Sequence, residues 1–420
     1  MRKQIFLTIY GVMLLANSTF ANDVFRLGSN DPKNPQVLLI KENGLTGKSG
    51  QTLLISGYVE ISHEKENIYD EIAKKIFLKF DSIVFQDNGI IFTKSDLGIY
   101  PTKYLGGHVR IKSIRGISGE NGIGNSNQAA PINQKASNGN NGANGRNASC
   151  GTKWDGWRPV AWNTGSDSGN PGGSGSKGEK GRNGNTGTNG TNGTHSSNIL
   201  LELNRITLDP NLKIEITAEG GSGGNGGNGQ KGGKGGEGGD GGRGGDGGDG
   251  NDCGRSASNG GRGGNAGDGG NGGNGGNGGN GGNGGNGGLI EIYFSNPEMQ
   301  ELLFIGENKR VVAKYKGGVG GRPGIGGEGG EGGEPGDIGC GGGKGKSEGI
   351  PSVLGQSDGR PGGCGEQGSA GTVGLRGKNG DWGIAGQDGK LRHSNYLLVE
   401  ERQTDFFNLP TKLEGKFTIL

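Results

Sequence analysis

With glycine at 103 of 420 positions and an apolar fraction of 28%, this chain can build a conventional hydrophobic core over only part of its length. Lys and Arg total 44 against 42 for Asp and Glu, so no net field points to nucleic acid. Four cysteines without a Cys-x-x-Cys or Cys/His cluster exclude the usual zinc spacings and favour disulfides in an exported chain.

In chain order, residues 1–21 read as a secretory signal peptide of bacterial style. Arg2 and Lys3 precede an apolar stretch, and Ala21 offers a cleavage point. No later segment reaches the roughly 18 apolar residues that a spanning helix needs. Residues 22–105 are rich in β-branched and aromatic residues and predict a β-rich N-terminal region, with room for a helical turn or two over 64–75. A weak internal repeat relates residues 76–85 to 199–208, and each copy is followed by a turn.

From residue 116 onward, glycine recurs in triplets. The runs cover 116–151 with an interruption, then 169–193, 220–250, 260–288, 318–345 and 359–389. Residues 220–288 are the densest, ending as a nearly pure Gly-Gly-Asn repeat. A period of three suits the left-handed extended helix, which has no internal hydrogen bonds. Its backbone polar groups then need outside partners, and a missing Cβ lets another backbone approach. The expected fold is therefore a β-rich base plus an antiparallel bundle of polyglycine-II helices over 106–420, with essentially no α-helix in the mature chain. Collagen shares the glycine period but wants far more proline than the 13 present. A disordered glycine-rich linker would not keep an unbroken phase.

Laid alternately up and down, these rods gather the strand-like segments 106–115, 198–217, 289–316 and 394–420 at one end. The turns 152–168, 251–259 and 346–358 fall at the other. All four cysteines land at or near that second end, which predicts Cys150–Cys253 and Cys340–Cys364 bridges. In the chain-entropy view the longer loop stabilises by about 4–5 kcal/mol and the shorter by about 3.

The far-end turn 152–168 holds Trp154, Trp157 and Trp162, three of the chain's four tryptophans, together with Arg158. Tryptophan and arginine are favoured in recognition hot spots. Arg255, Arg360, Ser352 and Asp358 in the other far-end turns are the expected neighbours. A plug that merely caps the rods would use the same rings. Matches to G-x-G-x-x-G carry no information in this composition, and Cys340 stands where a phosphate-binding loop ending at Ser347 needs its first glycine. The acidic run Asp240, Asp246, Asp249 and Asp252 lacks the aliphatic residue of calcium β-roll repeats and reads as a solvated face. No catalytic set, metal site or cofactor site is discernible.

Residues 116–389 resemble polyglycine-II bundle proteins: the receptor-binding adhesins of phage tail-fibre tips, the snow-flea antifreeze protein, and the glycine-rich domains of mycobacterial PE-PGRS proteins. The adhesin resemblance implies receptor contact by distal turns. The expected role is thus an exported, non-enzymatic, adhesin-like protein, secreted, surface-held or periplasmic, that binds a cell-surface glycan or protein receptor. A structural stalk or matrix component of collagen-like pattern is the second expectation, and ice binding the third.

Overall fold

The computed structural model describes residues 24–41, 43–69, 72–86, 88–124, 135–294, 296–304, 310–347, 356–395 and 417–419. The signal-peptide reading of 1–21 lies outside them.

Short parallel strands follow one another around three faces. The first circuit is β1 (Val24–Leu27), β2 (Gln36–Ile40) and β3 (Gly44–Thr46). The second is β4 (Thr52–Ile55), β5 (Tyr58–His63) and the start of β6 (Lys75–Phe85). The end of β6, β7 (Ile90–Thr93) and the start of β8 (Asp96–Ser113) make the third. Each strand pairs in parallel with the one a circuit earlier, as in Leu53↔Ile83, Ile91↔Ile111 and Leu78↔Ile99. The result is a three-faced parallel coil.

Strands from distant sequence continue it. After β9 (Ser149–Asp155) and β10 (Arg158–Thr164), which form their own two-stranded sheet, β11 (Ile199–Leu203) adds to β8. The chain goes on through β12 (Thr207–Leu208), β13 (Lys213–Thr217) and β14 (Leu289–Phe294). β15 (Val311–Lys314) and β16 (Lys390–Asn395) close the stack. Between β14 and β15, helix α1 (Pro297–Phe304) stands where a further strand would come and buries Leu303. Asn296 caps it by accepting the Glu298 N–H at 3.0 Å, ahead of proline at the first helical position. At the other end β17 (Phe417–Ile419) pairs antiparallel with β2 and covers its edge.

The period-2 pattern of these strands sends aliphatic side chains inward, where they stack in columns. Ile76, Leu97, Ile199 and Ile290 form one, and Ile91, Ile111 and Ile216 another, all buried. The repeat seen in the sequence has its basis here: Ile76 and Ile199 occupy the same column. Full burial of such a side chain contributes about 1.5–3 kcal/mol.

The early circuits turn from the second face to the third through short connections. The later ones leave at that same corner on long excursions: 114–198, 218–288 and 315–389. Each runs out and back. Outbound limbs lie parallel to one another, with Gly122 N–H donating to Asn225 O at 2.6 Å and Gly223 N–H to Val319 O at 2.8 Å. Return limbs are also mutually parallel, as in Gly190 N–H to Asn280 O and Gly281 N–H to Asp381 O, both 2.8 Å. Outbound and return limbs are antiparallel, with Gly224 N–H donating to Thr191 O at 2.9 Å and Gly282 N–H to Gly224 O at 2.8 Å. The consecutive glycines 223 and 224 thus donate to two different limbs.

The expected fold class is overturned by this arrangement. The organising element is a 15-stranded, mostly parallel sheet wound nearly into a barrel, and no helical bundle is evident among the described residues. Helix among the described residues is confined to the eight residues of α1. Strands within 199–217, 289–314 and 390–395 extend the registers of the N-terminal strands. The glycine limbs are therefore excursions from one coil, not a unit organised around itself. The 64–75 stretch carries no helix among its described residues.

The third residue of each triplet has a task the sequence reading missed. Where the preceding limb places an asparagine or aspartate level with it, its own backbone N–H is satisfied by that side chain. Oδ1 of Asn274, Asn277, Asn280, Asn283 and Asn286 accepts from the N–H of Leu375, Lys378, Asp381, Ile384 and Gln387 at 2.8–3.0 Å. Asn183, Asn189 and Asn192 serve Asn274, Asn280 and Asn283 in the same way at 2.8–2.9 Å. Aspartate substitutes freely, as in Asp240 accepting from the Asp337 N–H at 3.0 Å and Asp249 from the Lys346 N–H at 2.8 Å. The ladder runs into the coil corner, where Asp96 accepts from the Asn198 N–H and Asn198 from the Leu289 N–H, at 2.8 and 2.7 Å. The last limb carries Thr372, Leu375, Lys378 and Ile384 in this row and hands no such run of acceptors on.

Two tests follow from this packing. A Cβ on Gly276 would fall on the carbonyl oxygen of Asn185, whereas one on Gly363 meets nothing within 4 Å. Gly276→Ala should therefore cost about 1–3 kcal/mol or more in denaturant unfolding, and Gly363→Ala well under that. Asn280→Ala removes the acceptor for Asp381 and should cost about 0.5–1.5 kcal/mol, while Asn280→Asp, which keeps an oxygen there, should change stability by less.

Candidate functional site: the far-end hairpin

The described parts of the first excursion's two limbs are paired, from Thr194 N–H donating to Ile117 O at 2.9 Å to Asp167 N–H donating to Arg146 O at 2.9 Å. Residues 149–164 consequently sit at the end remote from the coil. There β9 and β10 form an antiparallel hairpin with register Arg158↔Asp155, Val160↔Lys153 and Trp162↔Gly151. Its two-residue loop is Gly156-Trp157, and Gly156 has φ of 62°. A positive φ at the first loop position is what a type II′ hairpin turn requires, and glycine adopts it without strain.

The hairpin is exposed along β10, with Trp157 96%, Val160 50% and Trp162 42% accessible. Alternation places Arg158, Val160 and Trp162 on one face of β10. Lys153 and Gly151, directly opposite Val160 and Trp162, share that face. Because Gly151 has no side chain, the Trp162 indole lies across its strand; a Cβ there would be 3.1 Å from the indole nitrogen. The indole thus packs beside the Gly151 backbone while much of it remains exposed.

The hairpin's base is tied to the second excursion. Cys150 and Cys253 form a disulfide. Asn163 Nδ2 donates to Cys253 O at 3.0 Å, and buried Asn251 donates from Nδ2 to Asn163 Oδ1 at 2.8 Å. Asn251 Oδ1 accepts from the Cys253 and Arg255 N–H groups at 3.1 and 3.2 Å. The third excursion joins through Gln356 Nε2, which donates to Asn251 O at 2.8 Å.

Of the sequence-predicted residues, Trp157, Arg158 and Trp162 share the hairpin, and Trp154 is on β9 opposite Pro159. Arg255 is exposed in the loop against the hairpin base. Arg360 stands on the third excursion, its N–H held by Asn259 at 2.7 Å, so it belongs to the limb array more than to the hairpin. Ser352 lies outside the described residues. Asp358 braces the third turn, accepting from Lys344 Nζ at 2.9 Å and from the Ser347 N–H and hydroxyl at 3.0 Å. Gly151, Lys153 and Val160 were missed. A hairpin register centred on Gly156-Trp157 would have found them.

The expected Cys340–Cys364 bridge is not formed: both thiols are free and exposed. The residues stand level, since Gly365 N–H donates to Gly339 O at 2.9 Å. They occupy different rows, however. Cys340 falls in the triplet row of Asp337, whereas Cys364 falls one residue past the row of Arg360 and Glu366. Equal distance from the turn matched their height and not their side.

Among the described residues no group of three or more His, Cys, Asp or Glu could hold a metal ion, and no helix is long and apolar enough to cross a membrane. No family model and no curated protein matches the chain. Among solved structures it is similar to the nine polyproline type II helical bundle springtail antifreeze protein from Granisotoma rainieri, at 22% identity over 56% of this chain and 97% of that one. The TM-score is 0.07, which carries no argument.

The Lys344 ammonium, then the Ser347 N–H and hydroxyl, hold the Asp358 carboxyl down to about 2 from 3.8. A carboxylate depressed on folding contributes stability above its unfolded pKa and loses it as pH falls through the folded one. The brace should therefore persist at pH 4 and open as pH drops towards 2. Carboxyl carbon shifts of Asp358 followed by NMR should give a midpoint near 2, and Lys344→Ala should move it upward.

Proposed function

We propose that this is an exported, non-enzymatic binding protein that holds a receptor-contacting hairpin away from a rigid coil, its receptor being a cell-surface glycan or protein. One observation carries the reading. Two indoles, Trp157 and Trp162, stand exposed on a hairpin at the remote end of the excursions, and a disulfide and an asparagine clamp anchor that hairpin. Two exposed indoles gathered on one anchored turn form the kind of apolar patch that marks a binding surface. Anchoring lowers the ordering cost that a loose loop would bear on binding. The disulfide agrees with passage through an oxidising compartment, as does the N-terminal sequence, and supports a secreted or surface location.

The test is attachment of purified full-length protein to candidate host cells and to a glycan array. Trp157→Ala and Trp162→Ala should each weaken binding at least tenfold, as hot-spot truncations do. Unchanged attachment in both variants, with the disulfide intact by non-reducing mass analysis, would sink the receptor reading in favour of a stalk or matrix role.

A further inference from the structure

Which ligand chemistry suits this hairpin is written on one of its faces. The Trp162 indole packs through its Nε1, Cε2 and Cζ2 atoms against Gly151 and stays 42% accessible, so part of the ring is open to a ligand. An open indole suits the C–H face of a pyranose. Lys153 and Arg158 stand on the same face, and among the described residues neither makes an ion pair. Residues two apart on a strand are about 7 Å apart, and diagonal cross-strand neighbours about 7–8 Å. Lys153 is diagonal to both Trp162 and Arg158, so a sugar stacked on the indole brings its substituents within reach of the ammonium. The acidic group on this face is Asp155, opposite Arg158. The end of the face nearest the indole is therefore cationic.

We propose that this face binds an acidic polysaccharide, with Trp162 stacking a uronate ring, Lys153 holding its carboxylate, Arg158 reaching the next residue, and Gly151 leaving room for the indole beside its strand. This rests on the hairpin being the receptor-binding element. Gly151 is a positioning residue. Its backbone is not in the left-handed region, and the nearest atoms an added side chain would meet are those of the indole.

The probes are polygalacturonate and the same polymer fully methyl-esterified, which keeps the ring and removes the charge. Binding to full-length protein is measured by calorimetry at low and physiological salt. Polygalacturonate should bind at least tenfold tighter than its ester. Lys153→Glu should abolish that preference while leaving the weaker ester binding in place. Gly151→Val, with the Cys150–Cys253 bridge confirmed, should lower binding to both polymers about tenfold. Equal affinity for acid and ester overturns the acidic assignment and leaves the hairpin reading standing, provided Trp162→Ala still weakens both. Absence of polymer binding alongside Trp-dependent cell attachment also overturns it and points to a protein receptor. Tighter binding to phosphatidylglycerol vesicles than to polygalacturonate replaces the saccharide with a lipid surface. Binding that survives every hairpin variant removes this inference and the hairpin reading together.

Discussion

An extended backbone has no partner of its own for its N–H and C=O groups, and everything else here answers that deficit. In the coil the partners are strands one circuit away. In the excursions they are other limbs, and glycine lets them approach until carbonyl oxygen sits where a Cβ would otherwise be, as at Gly276 against Asn185 and Gly282 against Thr191. In the Gly-Gly-x triplets the two glycine N–H groups go to two neighbouring limbs, and where an asparagine or aspartate stands level on the preceding limb its oxygen takes the third residue's N–H. The limbs are thereby held together without a hydrophobic core.

Such an arrangement buries little apolar surface, while ordering glycine costs more backbone entropy than ordering any other residue. Register cannot come from side-chain fit between limbs that have almost no side chains. It comes from the coil. The aliphatic columns set the height of each strand, and the limbs leave and return at one corner between strands of fixed register. Buried Arg115 reinforces this corner by donating to Glu66 at 2.7 Å, both side chains 1% exposed. A paired buried charge of this kind favours one arrangement more than it adds stability. Asp96, pushed up by burial yet held by Asn198, starts the side-chain ladder at the same place. Leucine, lysine and isoleucine interrupt the row in the last limb, so it offers no continuous run of acceptors to a further limb.

The far end inherits its order from this chain of registers. Its hairpin has no core of its own, since its residues are exposed along β10, and two-stranded hairpins are marginal in isolation. A disulfide closing 103 residues and the Asn163–Asn251 clamp hold it against the second excursion. That stiffness makes the indole face of Trp162 a defined surface instead of one conformer among many.

The glycine period and its role in close backbone approach were legible in the sequence, because a missing Cβ at fixed phase has one steric consequence. So were the strand content, the gathering of tryptophans in one turn, and the Cys150–Cys253 pair, since each depends on local pattern or on limbs of matching length. The coil was not legible. Strands at 97, 199 and 290 share a column only because two excursions between them return to the same corner, and no local pattern records that return. The asparagine row looked like a solvated face for the same reason: its acceptor oxygen is used by a backbone about a hundred residues away. Tertiary structure alone decided that Cys340 and Cys364 stand level but in different rows, and that Gly151 lies beside Trp162, because both depend on which side of a paired backbone a side chain leaves.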